Sequence, residues 1–258
     1  MNQEIRQANL KQTPRPLSWQ VATIKQGSVL QFSSDMQEDR PAGVGPLSSQ
    51  IKCLWAAKWA LWRRQKRAMA RSPLAKAAAI KKHHPHVIWD LTCGIGYDSL
   101  WFLCWGQKVI AFERHPAMVA LVQANLAAPD LNPWPWEALG GSFSLYEGDF
   151  QKKVQTEAES LALLPHPDVL YLDPMFGDEG NKRRSLPQKN LQLLPQLVGL
   201  DEDAPQLLAV ALAWAKEHQV GRVILKRPIR APLLLNPDWQ IKAQQVRFDG
   251  WTTGKKLD

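Results

Sequence analysis

The feature that most constrains this chain is an alternation, from His86 onward, of short apolar runs with helix-like segments. The pattern predicts strands at 87–91, 108–113, 143–147, 168–173 and 220–226, and helices at 99–104, 116–126 and 204–217. Residues 239–251 alternate enough for one long strand or a strand pair. Strands separated by helices imply right-handed crossovers. We therefore predict an α/β fold with a mostly parallel twisted sheet and helices on both faces.

The residues before this alternation have a different organisation. Residues 17–23 and 28–32 alternate apolar and polar side chains on either side of a glycine, which predicts a β-hairpin. A stretch rich in proline and glycine at 41–46 then breaks the chain. We accordingly divide the sequence into an N-terminal hairpin with a basic, Trp-rich helical extension, residues 1–72, and an α/β domain, residues 73–258.

Two helices are expected in the second half of the extension and just beyond it. The first is predicted to be capped by Ser48 or Ser49 and to run to about Met69, and the second follows Pro73. Three tryptophans recur on one face of the first helix: Trp55, Trp59 and Trp62. Aromatic residues at this spacing more often pack against a core than stack on nucleic-acid bases, so we interpret them as a packing face.

The net charge of +8 is concentrated in one block. Between Arg40 and Trp89 there are eleven Lys or Arg residues and no Asp or Glu. A basic block on an otherwise near-neutral protein is typical of a polyanion-binding surface, and a solvated helix face without function is the alternative. The candidate RNA-binding residues in and beyond this block are Arg63, Arg64, Lys66, Arg67, Arg71, Lys226 and Arg227. For the last two, contact with phosphate and simple exposure at the rim of the sheet both stay open.

A glycine-containing turn follows the first predicted strand of the domain. The strand ends at Asp90, and Gly94 and Gly96 allow the backbone to turn tightly and approach a ligand. Glu113 ends the next strand, at about the spacing of a carboxylate that binds ribose hydroxyls in such sheets. A third glycine is missing, because Ser99 stands where a dinucleotide site needs one. A ligand with adenosine but no pyrophosphate fits better, and S-adenosylmethionine is the common one; an ordinary strand-to-helix turn is the alternative.

Two further acidic turns follow predicted strands. Gly148 and Asp149 lie after one strand, where a carboxylate can accept a hydrogen bond from an adenine amino group. Asp173, Pro174 and Phe176 belong to an Asp-Pro-Met-Phe turn after an apolar strand. A carboxylate and a neighbouring carbonyl there can accept the N–H bonds of an exocyclic amine, and an aromatic ring can stack on its base. This turn therefore predicts methylation of an amino group, with an ordinary Asp-Pro turn as the alternative.

Several stretches together resemble the small-subunit (16S) ribosomal RNA guanine-N2 methyltransferase family of the J type. In family order, the matching stretches are 74–77, 92–98, 112–116, 171–176, 197–199, 226–228 and 247–249. The resemblance implies a Rossmann-like class I methyltransferase and a guanine near the 3′ end of small-subunit ribosomal RNA as target. It also implies cofactor contacts at Tyr97, Asp98, Glu113, Arg114, Gly148, Asp149 and Asp173.

The chain departs from the family pattern in three places. After Phe176 the residues Gly177-Asp178-Glu179-Gly180 intervene before a basic run. Tyr97 stands where the family commonly has an arginine, and the Trp- and Arg-rich segment 51–71 replaces a Gly-rich stretch. Because these changes fall mostly on parts expected to face the substrate, they bear on the target nucleotide more than on the cofactor.

Other functions compete with RNA guanine methylation. The Asp-Pro turn would serve a tRNA guanine or a DNA adenine equally well, and a catalytically silent RNA-binding assembly factor could keep the same fold. A nicotinamide-dependent oxidoreductase is disfavoured by the missing third glycine.

The sequence gives little support for a metal-binding, disulfide-bonded or membrane protein. Cys53, Cys93 and Cys104 are unevenly spaced, and the adjacent histidines near position 84 lack accompanying ligands, so we predict no metal site. No apolar run reaches the roughly 18 residues needed to span a bilayer, and no secretory signal opens the chain. We expect a cytoplasmic protein whose partner is ribosomal RNA or the small ribosomal subunit.

Overall fold

The computed structural model describes residues 19–24, 27–32, 50–65, 70–81, 84–128, 133–175 and 199–254. The strands are β1 (Trp19–Ile24), β2 (Gly27–Phe32), β3 (Gln50–Cys53), β4 (Val87–Asp90), β5 (Lys108–Glu113), β6 (Ser142–Glu147), β7 (Val169–Leu172), β8 (Arg222–Pro228), β9 (Trp239–Lys242) and β10 (Val246–Thr252). The α-helices are α1 (Trp55–Arg64), α2 (Pro73–Ala77), α3 (Tyr97–Leu103), α4 (Pro116–Leu126), α5 (Phe150–Thr156), α6 (Ala158–Ala162) and α7 (Ala204–Glu217). None of the helices in these ranges is long and apolar enough to cross a membrane.

The main sheet has seven strands in the order β6-β5-β4-β7-β8-β10-β9. The pairs β4–β5, β5–β6, β4–β7 and β7–β8 are parallel, whereas β10 is inserted antiparallel between β8 and β9. The predicted Rossmann-like sheet is thereby confirmed, and the C-terminal pattern corresponds to a strand pair. The strand order reverses beside β4, so the crevice at the carboxyl ends of β4 and its neighbours is the expected ligand site of this fold.

Helices cover both faces of the sheet. Neighbouring residues of β4 point to opposite sides: Ile88 packs in one hydrophobic cluster with residues of α1–α4, and Trp89 packs in the other with residues of α5–α7. This alternation follows from the two-residue period of a strand, and it requires the central strands to be apolar throughout.

Local signals in the sequence fix where three helices begin. The hydroxyl of Ser72 accepts a hydrogen bond from the Ala75 amide at 3.1 Å, and the ring of His115 accepts one from the Ala117 amide at 3.2 Å. Asp149 does the same for the Gln151 amide at 2.8 Å. Such caps satisfy amides that have no partner within the helix.

The N-terminal region differs from its prediction in one element. The hairpin β1–β2 is present, but β3 pairs antiparallel with β2 and makes a three-stranded sheet. The helix predicted to begin at Ser48 or Ser49 therefore begins at Trp55. The physical reason is the period of burial, since Ile51 and Cys53 are fully buried while Lys52 between them is exposed, as in a strand.

The tryptophan face of α1 packs against the main core, as its spacing predicted. Trp55 is fully buried and meets Phe143 edge-on with ring centroids 5.3 Å apart, and Trp59 meets Trp136 at 5.8 Å. Trp62 is partly buried against the same cluster. The extension and the α/β domain therefore share one hydrophobic core.

Candidate active site

A cavity of about 620 Å³ opens at the carboxyl ends of β4, β5, β6 and β7. It lies where the strand order reverses, the position in which open α/β sheets bind their ligands. Six residues singled out from the sequence line it: Gly94, Glu113, Arg114, Gly148, Asp149 and Asp173. The structure thus brings together the polar ends of four strands that are far apart in the chain.

The turn after β4 holds the carboxylate of Glu113 in place. One of its oxygens accepts a hydrogen bond from the Gly94 amide at 2.6 Å, and the other accepts one from the His115 amide at 2.7 Å. Gly94 and Gly96 have φ angles of +56° and +72°, a region that glycine adopts without strain. Burial raises the pKa of Glu113, and these two amide donors oppose that shift.

Asp90 lies behind the turn rather than in the cavity. Its carboxylate is 1% exposed and accepts hydrogen bonds from the Ser99 hydroxyl at 2.6 Å and from the Thr92 amide at 3.2 Å. Burial raises the pKa of Asp90 to about 7. Its contacts shape the turn and the start of α3 instead of facing the cavity.

Tyr97 and Asp98, at the start of α3, also lie away from the cavity lining. The Tyr97 hydroxyl accepts a hydrogen bond from the Leu54 amide at 3.2 Å, and its ring lies edge-on to Trp62. Asp98 accepts a hydrogen bond from the Tyr171 hydroxyl at 2.6 Å. Both residues therefore lie behind the Gly94–Gly96 turn, the turn that the sequence predicted to contact the cofactor.

Asp173 reaches the cavity from the end of β7. Its amide donates a hydrogen bond to the Thr92 hydroxyl at 2.7 Å, and one carboxylate oxygen accepts a hydrogen bond from Lys226 at 2.7 Å. Burial raises the pKa of Asp173 although the ammonium of Lys226 opposes the shift. Pro174 is buried next to it, and Phe176 lies outside the described residues.

The rim of the cavity contains an ion-pair cluster that was not predicted from the sequence. Arg114 pairs with Asp203 at 2.7 Å, with Asp149 at 3.3 Å, and with Asp201. Asp201 also accepts a hydrogen bond from the Met175 amide. These carboxylates hold the pKa of Arg114 above its usual range. The available signal was the pair of aspartates directly before the helix predicted at 204–217.

The candidate RNA-binding residues of the extension fall into three groups. Arg64 and Arg71 are exposed. Arg63 is partly buried, with its guanidinium 5.8 Å from the Trp59 ring. Lys66 and Arg67 lie outside the described residues.

The two RNA-binding candidates on β8, Lys226 and Arg227, were expected to contact phosphate or to lie exposed at the rim of the sheet, and the structure places both differently. Lys226 lies between the carboxylates of Asp98 and Asp173, at 2.7 Å from each. The prediction for Arg227 is wrong, because its side chain is 1% exposed and donates a hydrogen bond to the carbonyl of Pro232 at 3.0 Å. An interior guanidinium cannot contact an RNA phosphate at the surface.

Among the described residues, no group of three or more His, Cys, Asp or Glu side chains is arranged to hold a metal ion. The three cysteines are buried free thiols.

Comparison with known sequences gives a consistent set of relatives. A sequence-family model described as "Putative SAM-dependent methyltransferase" matches residues 37–253. Ribosomal RNA small subunit methyltransferase J of Magnetococcus marinus is 38% identical over 184 residues, which cover 70% of this chain and 68% of that protein. The protein of the same name from Thioalkalivibrio sulfidiphilus is 36% identical over 196 residues, which cover 74% of this chain and 72% of that protein.

Among solved structures, a SAM-dependent methyltransferase from Neisseria gonorrhoeae matches with a TM-score of 0.58 at 23% identity. The match covers 95% of this chain and 86% of that one, and it supports the fold.

Proposed function

The chain belongs to the SAM-dependent methyltransferase family that includes the ribosomal RNA small subunit methyltransferase J proteins, and from this membership we propose its substrate. We propose that it methylates the exocyclic N2 of a guanosine in small-subunit ribosomal RNA. The observation that carries the proposal is the position of Asp173, which lines the same cavity as Glu113 and Gly94 at the ligand-binding edge of the sheet.

The residues of the cavity fit S-adenosylmethionine. The volume of the cavity lies within the roughly 300–1,000 Å³ that is typical of small-molecule sites. The carboxylate of Glu113 suits ribose hydroxyls, and the side chains of Phe112, Met118 and Leu207 offer apolar surface to a flat base. A Cβ atom built at Gly94 meets nothing within 4 Å, so this backbone is open to a ligand. The acidic rim suits the positive sulfonium and ammonium groups of the cofactor.

We assign the cofactor-binding residues in two sets. Gly94, Glu113, Arg114, Gly148, Asp149 and Asp173 line the cavity and would touch the cofactor. A second set, Asp90, Gly96, Tyr97 and Asp98, would act by holding the turn in shape. Asp149 already accepts hydrogen bonds at both carboxylate oxygens, so a cofactor amino group would share an oxygen with them.

In this site the cofactor supplies an electrophilic methyl group. Asp173 and the carbonyl of Pro174 would accept the N–H bonds of the guanine amino group, which directs the nitrogen lone pair towards that methyl. The buried ring of Pro174 limits movement of the turn, and Phe176 keeps its predicted role of stacking on the base. Most of the rate enhancement would come from alignment of the reacting atoms.

The basic extension supports RNA as the substrate. Arg64 and Arg71 present exposed cations on the extension, whose helix α1 packs onto the cofactor-binding domain through Trp55. We propose that residues 1–72 bind RNA phosphates while residues 73–258 carry out the transfer, in the cytoplasm.

Methyl transfer to isolated RNA and to small ribosomal subunits tests the proposal. RNA from cells that lack the protein is incubated with labelled S-adenosylmethionine and digested to nucleosides, and the methylated nucleoside is identified by mass spectrometry. We expect N2-methylguanosine with the wild type and at least about a hundredfold lower rate with Asp173→Ala. A labelled adenine or a label only in tRNA would contradict the proposed substrate. Binding of RNA without any transfer would favour a silent assembly factor.

Calorimetric titration with S-adenosylhomocysteine tests the cofactor site separately. We expect binding that Glu113→Ala weakens strongly. Lys108→Ala, at the amino end of β5, is the control and should bind like the wild type.

A further inference from the structure

The ammonium of Lys226 bridges two carboxylates from different elements. Its Nζ lies 2.7 Å from Asp98 Oδ2 and 2.7 Å from Asp173 Oδ2. Asp98 lies in the first turn of α3, Asp173 follows β7, and Lys226 lies in the neighbouring strand β8. The exposed fraction of the side chain is 23% for Lys226, 26% for Asp98 and 38% for Asp173, so the bridge is partly shielded from solvent and opens to it at the Asp173 end.

The far end of the bridge is anchored in the core. The hydroxyl of Tyr171 donates a hydrogen bond of 2.6 Å to Asp98 Oδ2, the same oxygen that Lys226 contacts. Tyr171 is fully buried and packs edge-on against Phe102 with ring centroids 5.3 Å apart. Tyr171, Asp98, Lys226 and Asp173 therefore form a continuous chain of polar contacts from the core to the cavity.

We propose that Lys226 is a positioning residue for methyl transfer: it fixes the orientation of the Asp173 carboxylate and keeps it ionised as the acceptor for the substrate amino group. This inference rests on the proposed function, because it assigns a role within the same site. It replaces the contact with RNA phosphate that the sequence left open for Lys226, since both neighbouring carboxylates already take up its charge.

The proton balance of the reaction gives the bridge its function. The amino nitrogen must lose one proton once it has gained a methyl group. Asp173 can take that proton and pass it to water only if its carboxylate is unprotonated beforehand. Lys226 stays protonated throughout, because two carboxylates stabilise its charge and hold its pKa above the usual range.

The charges that face Asp173 decide when it becomes protonated. Burial raises the pKa of Asp173, Lys226 lowers it, and the negative charge of Asp98 raises it. The charge of Asp173 in turn raises the pKa of Asp90, which lies behind the turn. The pKa of Asp98 is lowered by Lys226 and by the Tyr171 hydroxyl. As the pH falls, Asp173 is therefore the first of the bridged pair to be protonated. Removal of the Lys226 charge and removal of the Asp98 charge must shift this protonation in opposite directions.

The test compares the pH dependence of kcat for the wild type, Lys226→Met and Asp98→Asn, at saturating RNA and S-adenosylmethionine. On the acidic side of the profile, the acidic limb, kcat falls as Asp173 becomes protonated. In Lys226→Met we expect the midpoint of this limb to move to a pH about one to three units higher, and kcat at neutral pH to fall at least about tenfold. In Asp98→Asn the acidic limb should move to lower pH.

Two further variants separate positioning from a general loss of structure. Lys226→Arg keeps the charge and should restore the wild-type limb with most of kcat, while Lys108→Met at the exposed start of β5 should match the wild type. If Lys226→Met does not fold, Lys226→Gln replaces it. An acidic limb that stays in place without the Lys226 charge, or that moves the same way in Asp98→Asn, would overturn the inference.

A measurement without RNA separates this inference from the proposed function. The carboxyl carbon of Asp173 is followed by NMR during a pH titration of the wild type and Lys226→Met. A higher midpoint in the variant supports the bridge even if the wild type methylates no ribosomal RNA, in which case the proposed function alone fails. Identical midpoints overturn the inference whatever the RNA assay shows.

Discussion

The indole nitrogen of Trp55 donates a hydrogen bond of 2.9 Å to the carbonyl oxygen of Ile95. This contact joins the first residue of α1 to the glycine turn that lines the cavity, between Gly94 and Gly96. The thiol of Cys53 donates to the same carbonyl at 3.2 Å. The start of α1 and the glycine turn are thus joined by polar contacts as well as by packing.

We expect Trp55→Phe to weaken both stability and cofactor binding. The variant removes the stronger donor to a buried carbonyl, which should lower the free energy of unfolding by about 1–3 kcal/mol. Because the carbonyl belongs to the glycine turn that lines the cavity, the affinity for S-adenosylhomocysteine should also fall severalfold. Urea denaturation and calorimetric titration measure the two effects.

Trp134→Phe is the matched control for this prediction. The Trp134 indole donates to the carbonyl of Leu126 at 3.0 Å, at the end of α4 and outside the cavity lining. Its loss should lower stability by a similar amount and leave cofactor affinity unchanged. Equal losses of affinity in both variants would mean that Trp55 acts only through global stability.

The two glycines of the turn should respond differently to alanine. At both positions a side chain meets the unfavourable left-handed backbone, at a cost of about 1–2 kcal/mol. At Gly96 the added Cβ would also lie 2.4 Å from the Trp55 ring, whereas at Gly94 it meets open space. We therefore expect Gly96→Ala to lower the melting temperature more than Gly94→Ala.

We expect cofactor affinity to fall more in Gly94→Ala than in Gly96→Ala, which is the reverse of the order for the melting temperature. Gly94 lines the cavity, so its new methyl group would occupy ligand space and weaken S-adenosylhomocysteine binding by about tenfold. A Gly94→Ala variant that binds like the wild type would place the cofactor away from this backbone.

The elements that the sequence predicted well are those with local signals. The helices at 116–126 and 204–217 and the strand at 108–113 match the structure, because apolar periodicity and proline placement mark them within a few residues. The strand β3 was missed because its four residues become a strand only by pairing with β2. No pattern within so short a segment distinguishes it from the start of the helix that follows.

The position of the candidate site follows from similar local signals. Glu113 and Asp173, which the structure brings to one cavity, could be singled out because each lies at the end of an apolar strand or directly after it. The ion pairs of Arg114 and Lys226 were not predicted, because Asp201, Asp203 and Asp98 approach them only through the order of strands in the sheet. A lysine at a strand end looks the same in sequence whether it contacts a phosphate or two carboxylates of its own chain.

Asp90 should make stability depend on pH in a defined direction. Burial raises its pKa from an ordinary carboxyl value to about 7 in the folded protein. Between about pH 4 and pH 7 the folded state therefore binds more protons than the unfolded state, so this residue makes unfolding easier as the pH rises. We expect Asp90→Asn to remove the part of the pH-dependent loss of stability that this carboxyl group causes.

The comparison is made by urea denaturation at pH 5 and pH 8. At pH 8 the asparagine variant should be more stable than the wild type, by at most about 4 kcal/mol at 1.36 kcal/mol per pKa unit. At pH 5 the advantage of the asparagine variant should shrink to about 1–2 kcal/mol, because only about one pH unit of the range between the unfolded and folded pKa values has been crossed. The asparagine itself should cost little, since it can accept from the Thr92 amide and pair with the Ser99 hydroxyl. A stability difference that is the same at both pH values would show that Asp90 is ionised throughout.

The exposed cations of the extension should determine RNA affinity and its dependence on salt. Each cation that neutralises a phosphate contributes about 0.7–0.9 to the slope of log K against log salt. The double variant Arg64→Ala/Arg71→Ala should therefore reduce that slope by roughly 1.4–1.8 and weaken RNA binding. A matched double variant, Lys108→Ala/Lys216→Ala, removes two exposed cations at the amino end of β5 and in the last turn of α7. Equal losses in both double variants would indicate attraction to the whole positively charged protein, whereas a loss confined to Arg64 and Arg71 would place the RNA on the extension.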